Sequence, residues 1–215
     1  MAKRSRRPAE GRMSLRREIA TQKPKRTFRV YCEGERTEPD YLEALRKEPI
    51  VHDIASVDIQ IADDPQGAVP FTLVSAAVDF KSRSSEEAAE IDEVWCLFDV
   101  ECPNSHPNLQ EAVDLAEKMG IRLAISNPCF ELWLTLHFED HTDCLTTDEA
   151  VELRSSHDGS SDKSVDGPTY MPRRKKAHRR ARYLDGMHQR KGNAFPDDNP
   201  SSGMFRFLEA VQGHE

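Results

Sequence analysis

The sequence predicts an α/β fold, a mostly parallel sheet flanked by helices, followed by a helical C-terminal extension. Two observations lead there. Between residues 27 and 138, runs of β-forming residues alternate with stretches whose apolar residues recur at helical spacing. One of those runs, "EVWCLFDV" (93–100), is almost continuously apolar, as in a strand covered on both faces. A βαβαβαβα order implies parallel strands with helices on both faces. Right-handed crossovers then bring the C-terminal ends of the strands to one edge, where ligands of open α/β sheets bind.

Each element has its own justification. "TFRVYC" (27–32) alternates and is rich in β-formers, so it reads as the first strand. "TEPDYLEALRKE" (37–48) reads as a helix, with Thr37 and Asp40 as a capping box and Pro39 in the first turn. "SVDIQIA" (56–62) is a second strand, and "AVPFTLVSAAVDFKS" (68–82) a second helix. After the third strand, "HPNLQEAVDLAEKMG" (106–120) carries Leu109, Ala112, Val113 and Ala116 on one stripe, with Gly120 as its stop. "IRLAIS" (121–126) is a fourth strand. "NPCFELWLTLHF" (127–138) reads as a helix with Asn127 as N-cap and Pro128 at its first position.

Past residue 140 the alternation stops. "TTDEAVELRSS" reads as a helix, "HDGSSDKSVDGPT" as a polar loop, "PRRKKAHRRARYLDGMHQR" as a basic helix, and "SSGMFRFLEAVQ" as a final helix capped by a serine. The chain thus divides into a disordered basic tail (1–25), an α/β core (26–140) and a helical extension with the basic helix (141–215). No internal repeat is present.

The bulk composition narrows the function classes. With 215 residues, 37% hydrophobic and 32% charged, the chain is long enough for one sizeable soluble domain. No apolar run approaches the ~18 residues of a membrane span, and no signal-peptide core follows Met1. Five cysteines, an odd number without a CxxC pair, fit free thiols in a reducing cytoplasm. The net charge of −8 hides a segregation: residues 1–26 are basic apart from Glu10 and Glu18, and a second basic run lies near the C-terminus. Such blocks are solvated tails or faces in one reading and nucleic-acid contacts in the other. No GxxxxGK[ST], GxSxG or HExxH occurs, which argues against P-loop ATPase, esterase and metalloprotease chemistry.

The chemistry-bearing residues gather at the predicted C-terminal edge. "FRVYCEGERTEPDY" (28–41) places Glu33 at the end of the first strand, on a turn with Gly34. "FDVE" places Asp99 and Glu101 at the end of the third. In an extended chain, residues two apart point to the same side, so Asp99 and Glu101 can converge with Glu33 facing them. Three such carboxylates repel one another unless a cation neutralises them. Mg²⁺ or Mn²⁺, held by carboxylates, waters and phosphate oxygens, suits phosphodiester cleavage. Glu35, Glu38 and Asp40 read as helix-dipole partners. Asn127 and Glu131 are candidates for supporting roles, though simple capping explains them nearly as well. His137, His141, Cys144, Cys102 and His106 match no standard zinc spacing.

"CEGERTEPDYLEAL", "VWCLFDVE" and "AISNPCFELWLTLHF", in this order, resemble the RloB-like family, and the late "NPSSGMFRFLEAV" resembles that family's C-terminal segment. The resemblance runs from about residue 27 to the C-terminus. It implies a Toprim-like fold, with Glu33 as general acid or base and Asp99 and Glu101 in the place of a Mg²⁺-holding DxD; Glu101 departs from that pattern by one methylene. It also implies anti-phage defence and an ATPase as candidate partner.

The basic helix supplies the polyanion footprint. Its charges, Arg173, Arg174, Lys175, Lys176, Arg179 and Arg180 among them, fall on all sides and suit a phosphate backbone more than base readout. Tyr170 and Tyr183 are candidates for stacking on bases. The expectation is a Mg²⁺-dependent nuclease acting on DNA or RNA. The rival is a non-catalytic subunit that binds nucleic acid or an ATPase.

Overall fold

The computed structural model describes residues 26–51, 57–63, 68–86, 91–160 and 162–213; the basic tail expected at 1–25 lies outside these. Among the described residues one sheet has the order β2-β1-β3-β4-β5, built from β1 (Arg26–Cys32), β2 (Val57–Ile61), β3 (Glu93–Asp99), β4 (Arg122–Asn127) and β5 (Ser201–Ser202). The first four run parallel, and β5 pairs antiparallel with β4. The helices are α1 (Thr37–Arg46), α2 (Pro70–Glu86), α3 (Leu109–Met119), α4 (Phe130–Thr135), α5 (Thr147–Asp158), α6 (Gly167–Tyr170), α7 (Arg174–Lys191) and α8 (Met204–Gln212).

The near-continuous apolar strands are explained by two cores, one on each face. Phe28, Val30, Trp95, Leu97 and Ala124 pack with α1, α4, α7 and α8, through Leu42, Trp133, Leu184 and Phe207. Tyr31, Val94, Cys96 and Phe98 point the other way, onto Leu73 and Ala77 of α2 and Ala112 and Ala116 of α3. Successive strand residues face opposite sides, so each core takes every second residue. The C-terminal helices belong to this packing: Phe207 sits edge-on to Trp95 at 5.2 Å and to Phe28 at 6.3 Å. Gly120 ends α3 with φ 64°, the left-handed conformation expected of its stop.

Three local expectations are corrected. Ser201–Ser202 are not helical; they form β5 beside β4, with Gly203 so close to that strand that a Cβ would stand 2.8 Å from Ile125 N, while Ser202 Oγ accepts from Met204 N at 3.4 Å at the start of α8. Thr37 is helical, not a cap: its hydroxyl donates to Lys163 O at 3.1 Å, and Asp40 accepts from Val165 N at 3.4 Å. Both polar groups hold the loop ahead of α6. Asn127 ends β4 and Cys129 is the N-cap of α4, so Asn127 is no cap either. Its amide donates to Pro196 O at 2.8 Å and Asp198 Oδ1 at 3.0 Å. "SNPC" and "NPSSG", the segments that stood out in the sequence, therefore dock onto one another.

Candidate functional site

β1 and β3 are neighbours, so their C-terminal ends meet. Glu33 extends the pairing by one residue, its N–H donating to Leu97 O at 3.0 Å. Its side chain turns across to β3, where Oε2 accepts from Asp99 N at 2.9 Å. Oε1 lies 2.8 Å from His106 Nε2, on the loop that follows β3. Glu101 reaches Glu33 by a different route from strand alternation. β3 stops at Asp99, Val100 is buried, and Glu101 adopts φ 65° with its N–H donating to Pro128 O at 2.8 Å. A left-handed glutamate is uncommon and strained, and such residues cluster at functional sites.

Two more carboxylates close in from behind. Glu38 of α1 is 4% exposed and Glu131 of α4 is 8% exposed. Asp99 retains some solvent contact, but protein atoms enclose its carboxyl. Burial, then the charges of Glu38, Glu131 and Glu33, hold its proton affinity well above the usual carboxylate range; the Phe130 N–H opposes this. Burial raises Glu33 to about 7, against the Asp99 N–H, and Glu101 adds to the rise. Glu38 is raised to about 7 by burial, with Glu131 and Glu33 contributing. The Cys129 thiol beside Asp99 and Glu131 is pushed up, by burial first and then by their charges. The edge therefore holds more negative charge than its surroundings compensate.

Glu38 is the residue that sequence reasoning missed. As the second residue of α1 it reads as a dipole partner, and indeed its Oε1 accepts from Gly34 N at 3.1 Å. It also fills the space over Gly34, where a Cβ would stand 2.0 Å from Glu38 Oε2. That close approach is the reason for the glycine. Gly34 does not have a positive φ. It is small because the Glu38 carboxylate lies on it. Gly34→Ala is therefore expected to displace a flexible carboxylate and keep the fold, at a cost of about 1–2 kcal/mol in a denaturant titration. A loss of ~4 kcal/mol or more would place the constraint in the backbone instead.

Among the described residues no group of three or more His, Cys, Asp or Glu side chains is arranged to hold a metal ion. Glu33 and Glu38 already direct oxygens to protein partners. In chemistry, however, the donor set fits a hard divalent cation: oxygen ligands with uncompensated charge. Mg²⁺ needs only one or two carboxylates, taking the rest of its shell from water and phosphate. The histidine set offers less. His137 is buried, 3.2 Å from Tyr41 OH and 2.9 Å from Trp133 O, and burial lowers it to about 4.

On α7 the charges do not fall on all sides. Ala177, Ala181, Leu184 and Met187 form a buried stripe. Arg174 is tied to Glu48 at 2.9 Å, and Arg180 to Asp140 at 2.7 Å and Leu136 O at 2.8 Å. Arg173, Lys175, Lys176 and Arg179 are exposed. Arg173 also donates to Thr169 O and covers the Phe138 ring at 5.3 Å. Tyr170 is fully buried and cannot stack on a base, whereas Tyr183 is 58% exposed. No helix among the described residues is long and apolar enough to cross a membrane.

Fold and edge together define a five-stranded, mostly parallel α/β protein with a buried carboxylate cluster where β1 and β3 end. The chain belongs to the RloB-like family: the model of the RloB-like protein matches residues 28–211. No curated protein and no solved structure matches it.

Proposed function

We propose that the chain is a Mg²⁺- or Mn²⁺-dependent nuclease of anti-phage defence, acting on DNA or RNA through a Toprim-like site. The observation that carries this reading is the excess of buried negative charge at the C-terminal edge, with Glu33 raised to about 7. Asp99 and Glu101 are the residues that would hold the cation, with Glu33 beside them. When bound, the cation supplies Lewis acidity to a phosphate oxygen and lowers the cost of forming the nucleophile. Glu33 would accept or return the proton of the attacking or leaving oxygen, a task suited to a carboxyl that titrates near neutral pH. The Asp99 N–H holds one oxygen of its carboxylate, and His106 Nε2 lies 2.8 Å from the other. Glu38 and Glu131 stand behind and keep the charge of the edge high. An ATPase encoded with the chain is the proposed partner.

Incubating the purified protein with DNA, tRNA and total RNA, in Mg²⁺, Mn²⁺ or EDTA, tests the reading. Cleavage that EDTA abolishes supports it. Absence of cleavage from every arm, with the ATPase present as well, overturns it.

A second reading has its own support. Among the described residues no metal-ligand group is preformed, and α7 carries exposed cations, which together favour a nucleic-acid-binding subunit without catalysis. Both readings use α7. Replacing Lys175, Lys176 and Arg179 with glutamine should flatten the salt dependence of nucleic-acid binding, by up to about one in log–log slope for each phosphate no longer neutralised. Stability should stay unchanged, since these side chains are exposed. Arg174→Gln or Arg180→Gln should lower stability instead, because the first breaks a partly buried ion pair with Glu48 and the second a partly buried hydrogen bond to Leu136 O. An unchanged slope in the triple variant would make this helix a solvated face.

A further inference from the structure

The loop between α5 and α6 is polar in sequence, yet a buried arginine is committed to it. Arg154, 3% exposed, donates Nη1 to Asp162 O at 2.6 Å and Nη2 to Ser164 O. Those two carbonyls flank Lys163. The carbonyl of Lys163 itself accepts from Thr37 Oγ1 at 3.1 Å, and Val165 N donates to Asp40. Asp158 pairs with Arg154 at 2.8 Å and accepts from Tyr170, which fixes the clamp from below. Two carbonyls are thus held by Arg154 of α5, and the one between them by Thr37 at the start of α1, four residues after Glu33.

The clamp leaves one side chain free. Lys163 is exposed, and among the described residues its ammonium makes no hydrogen bond or ion pair. It lies within electrostatic reach of Glu33. Arg36, also exposed, stands near Asp162 of the same loop. A cation whose backbone is tied to the start of α1, within electrostatic reach of a carboxylate cluster but not in direct contact with it, has the placement a phosphate needs. The polyanion would otherwise be repelled by Glu33, Glu38 and Asp99.

We infer that Lys163 binds a phosphate of the nucleic-acid backbone at the carboxylate edge, with Arg154 as the residue that positions its loop. The inference rests on the nucleic-acid reading above and adds a contact separate from α7. A lysine serves here as a point charge, and its flexible stem lets it follow the phosphate.

Two measurements test it, both on the full chain in EDTA, so neither requires cleavage. In the first, a labelled single-stranded oligonucleotide, DNA and RNA in parallel, is titrated at several salt concentrations. Lys163→Met should lower the log–log salt slope by up to about one, and Lys163→Arg should restore it. Combined with the α7 triple variant, the decrease should add to that of the triple. In the second, wild-type protein is acetylated with and without the oligonucleotide and mapped by mass spectrometry. Lys163 should be protected. Lys81, which donates to Met119 O and Gly120 O on the opposite face of the sheet, should not be. An unchanged slope for Lys163→Met, or equal acetylation of Lys163 in both samples, overturns the inference. A wild type that binds but never cleaves overturns the nuclease reading alone and leaves the fate of Lys163 to the slope and the footprint.

Discussion

Asp99→Asn is expected to stabilise the metal-free protein at pH 8 while abolishing metal-dependent cleavage. The carboxyl is enclosed, and Glu38, Glu131 and Glu33 all oppose its charge. Asparagine keeps the shape, still accepts from Phe130 N–H, and removes one of the repelling charges. A gain of about 1–3 kcal/mol is reasonable for deleting a buried like charge, which for a chain of this size raises Tm by about 2–10 °C. The wild type should gain stability from Mg²⁺, because a ligand that binds only the native state shifts unfolding by mass action. Asp99→Asn should lose most of that response. Scanning calorimetry of both proteins in EDTA and in Mg²⁺ reads all of this. A variant less stable than wild type in EDTA would mean that the Asp99 charge is compensated within the fold, and the argument from excess charge would collapse.

The same electrostatics fix a pH dependence. Glu33 and Glu38 titrate near 7 when folded, against 4.5 ordinarily. Between those values the folded state holds more protons than the unfolded one, so stability must fall as pH rises. The contribution is fully present below about 4.5 and is lost as pH passes through about 7. For one carboxyl shifted over that window the loss reaches about 3 kcal/mol, and the two are neighbours, so their losses are not additive. In EDTA the Tm should therefore drop between about pH 5.5 and pH 8. Saturating Mg²⁺ should reduce that drop, since the cation replaces the protons.

Much of this architecture was legible because each strand is apolar in a way that only a two-faced sheet explains. "EVWCLFDV" divides into Trp95 and Leu97 for one core and Val94, Cys96 and Phe98 for the other. Glu33 and Asp99 were legible for a related reason: adjacent parallel strands end at one edge, so carboxylates at those ends must meet. Several errors lie where the fold depends on distant segments. Thr37 resembles a cap until the loop at Lys163, 126 residues away, takes its hydroxyl. Asn127 resembles a cap until Pro196 and Asp198 take its amide. Tyr170 looks free to stack until its ring is buried against His137 and Phe138. Glu38 was read locally as a helix-dipole partner, and no local pattern shows that α1 turns that same side chain into the space between Gly34 and Asp99. The strain at Glu101 was equally hidden, because a DxE spacing looks the same whether the chain stays extended or turns left-handed.

Glu33→Gln is expected to reduce cleavage by ~10²-fold or more and to leave most nucleic-acid binding intact, since removing a general acid or base typically costs 10²–10⁴-fold. Glutamine preserves the acceptor for Asp99 N–H but cannot titrate. The wild-type pH profile should rise through one inflection to a plateau, and the cation should place that inflection below the value of about 7 that Glu33 has in the metal-free protein. In Glu33→Gln the residual activity should lose that inflection. The variant must be compared with Asp99→Asn, because both abolish activity for different reasons. Asp99→Asn acts through a weakened cation site, so excess Mn²⁺ should recover part of its rate. Glu33→Gln lacks the proton acceptor, so Mn²⁺ should recover none. Glu38→Gln separates the two layers of the cluster. It lies behind the edge with its oxygen on Gly34 N, so it should lose less rate than Glu33→Gln and gain metal-free stability as Asp99→Asn does. A Glu33→Gln protein that cleaves at the wild-type rate would reduce Glu33 to a structural acceptor that orders the Asp99 backbone. Proton transfer would then have to come from another group at the edge, and His106, 2.8 Å from the same carboxylate, would be the first to replace.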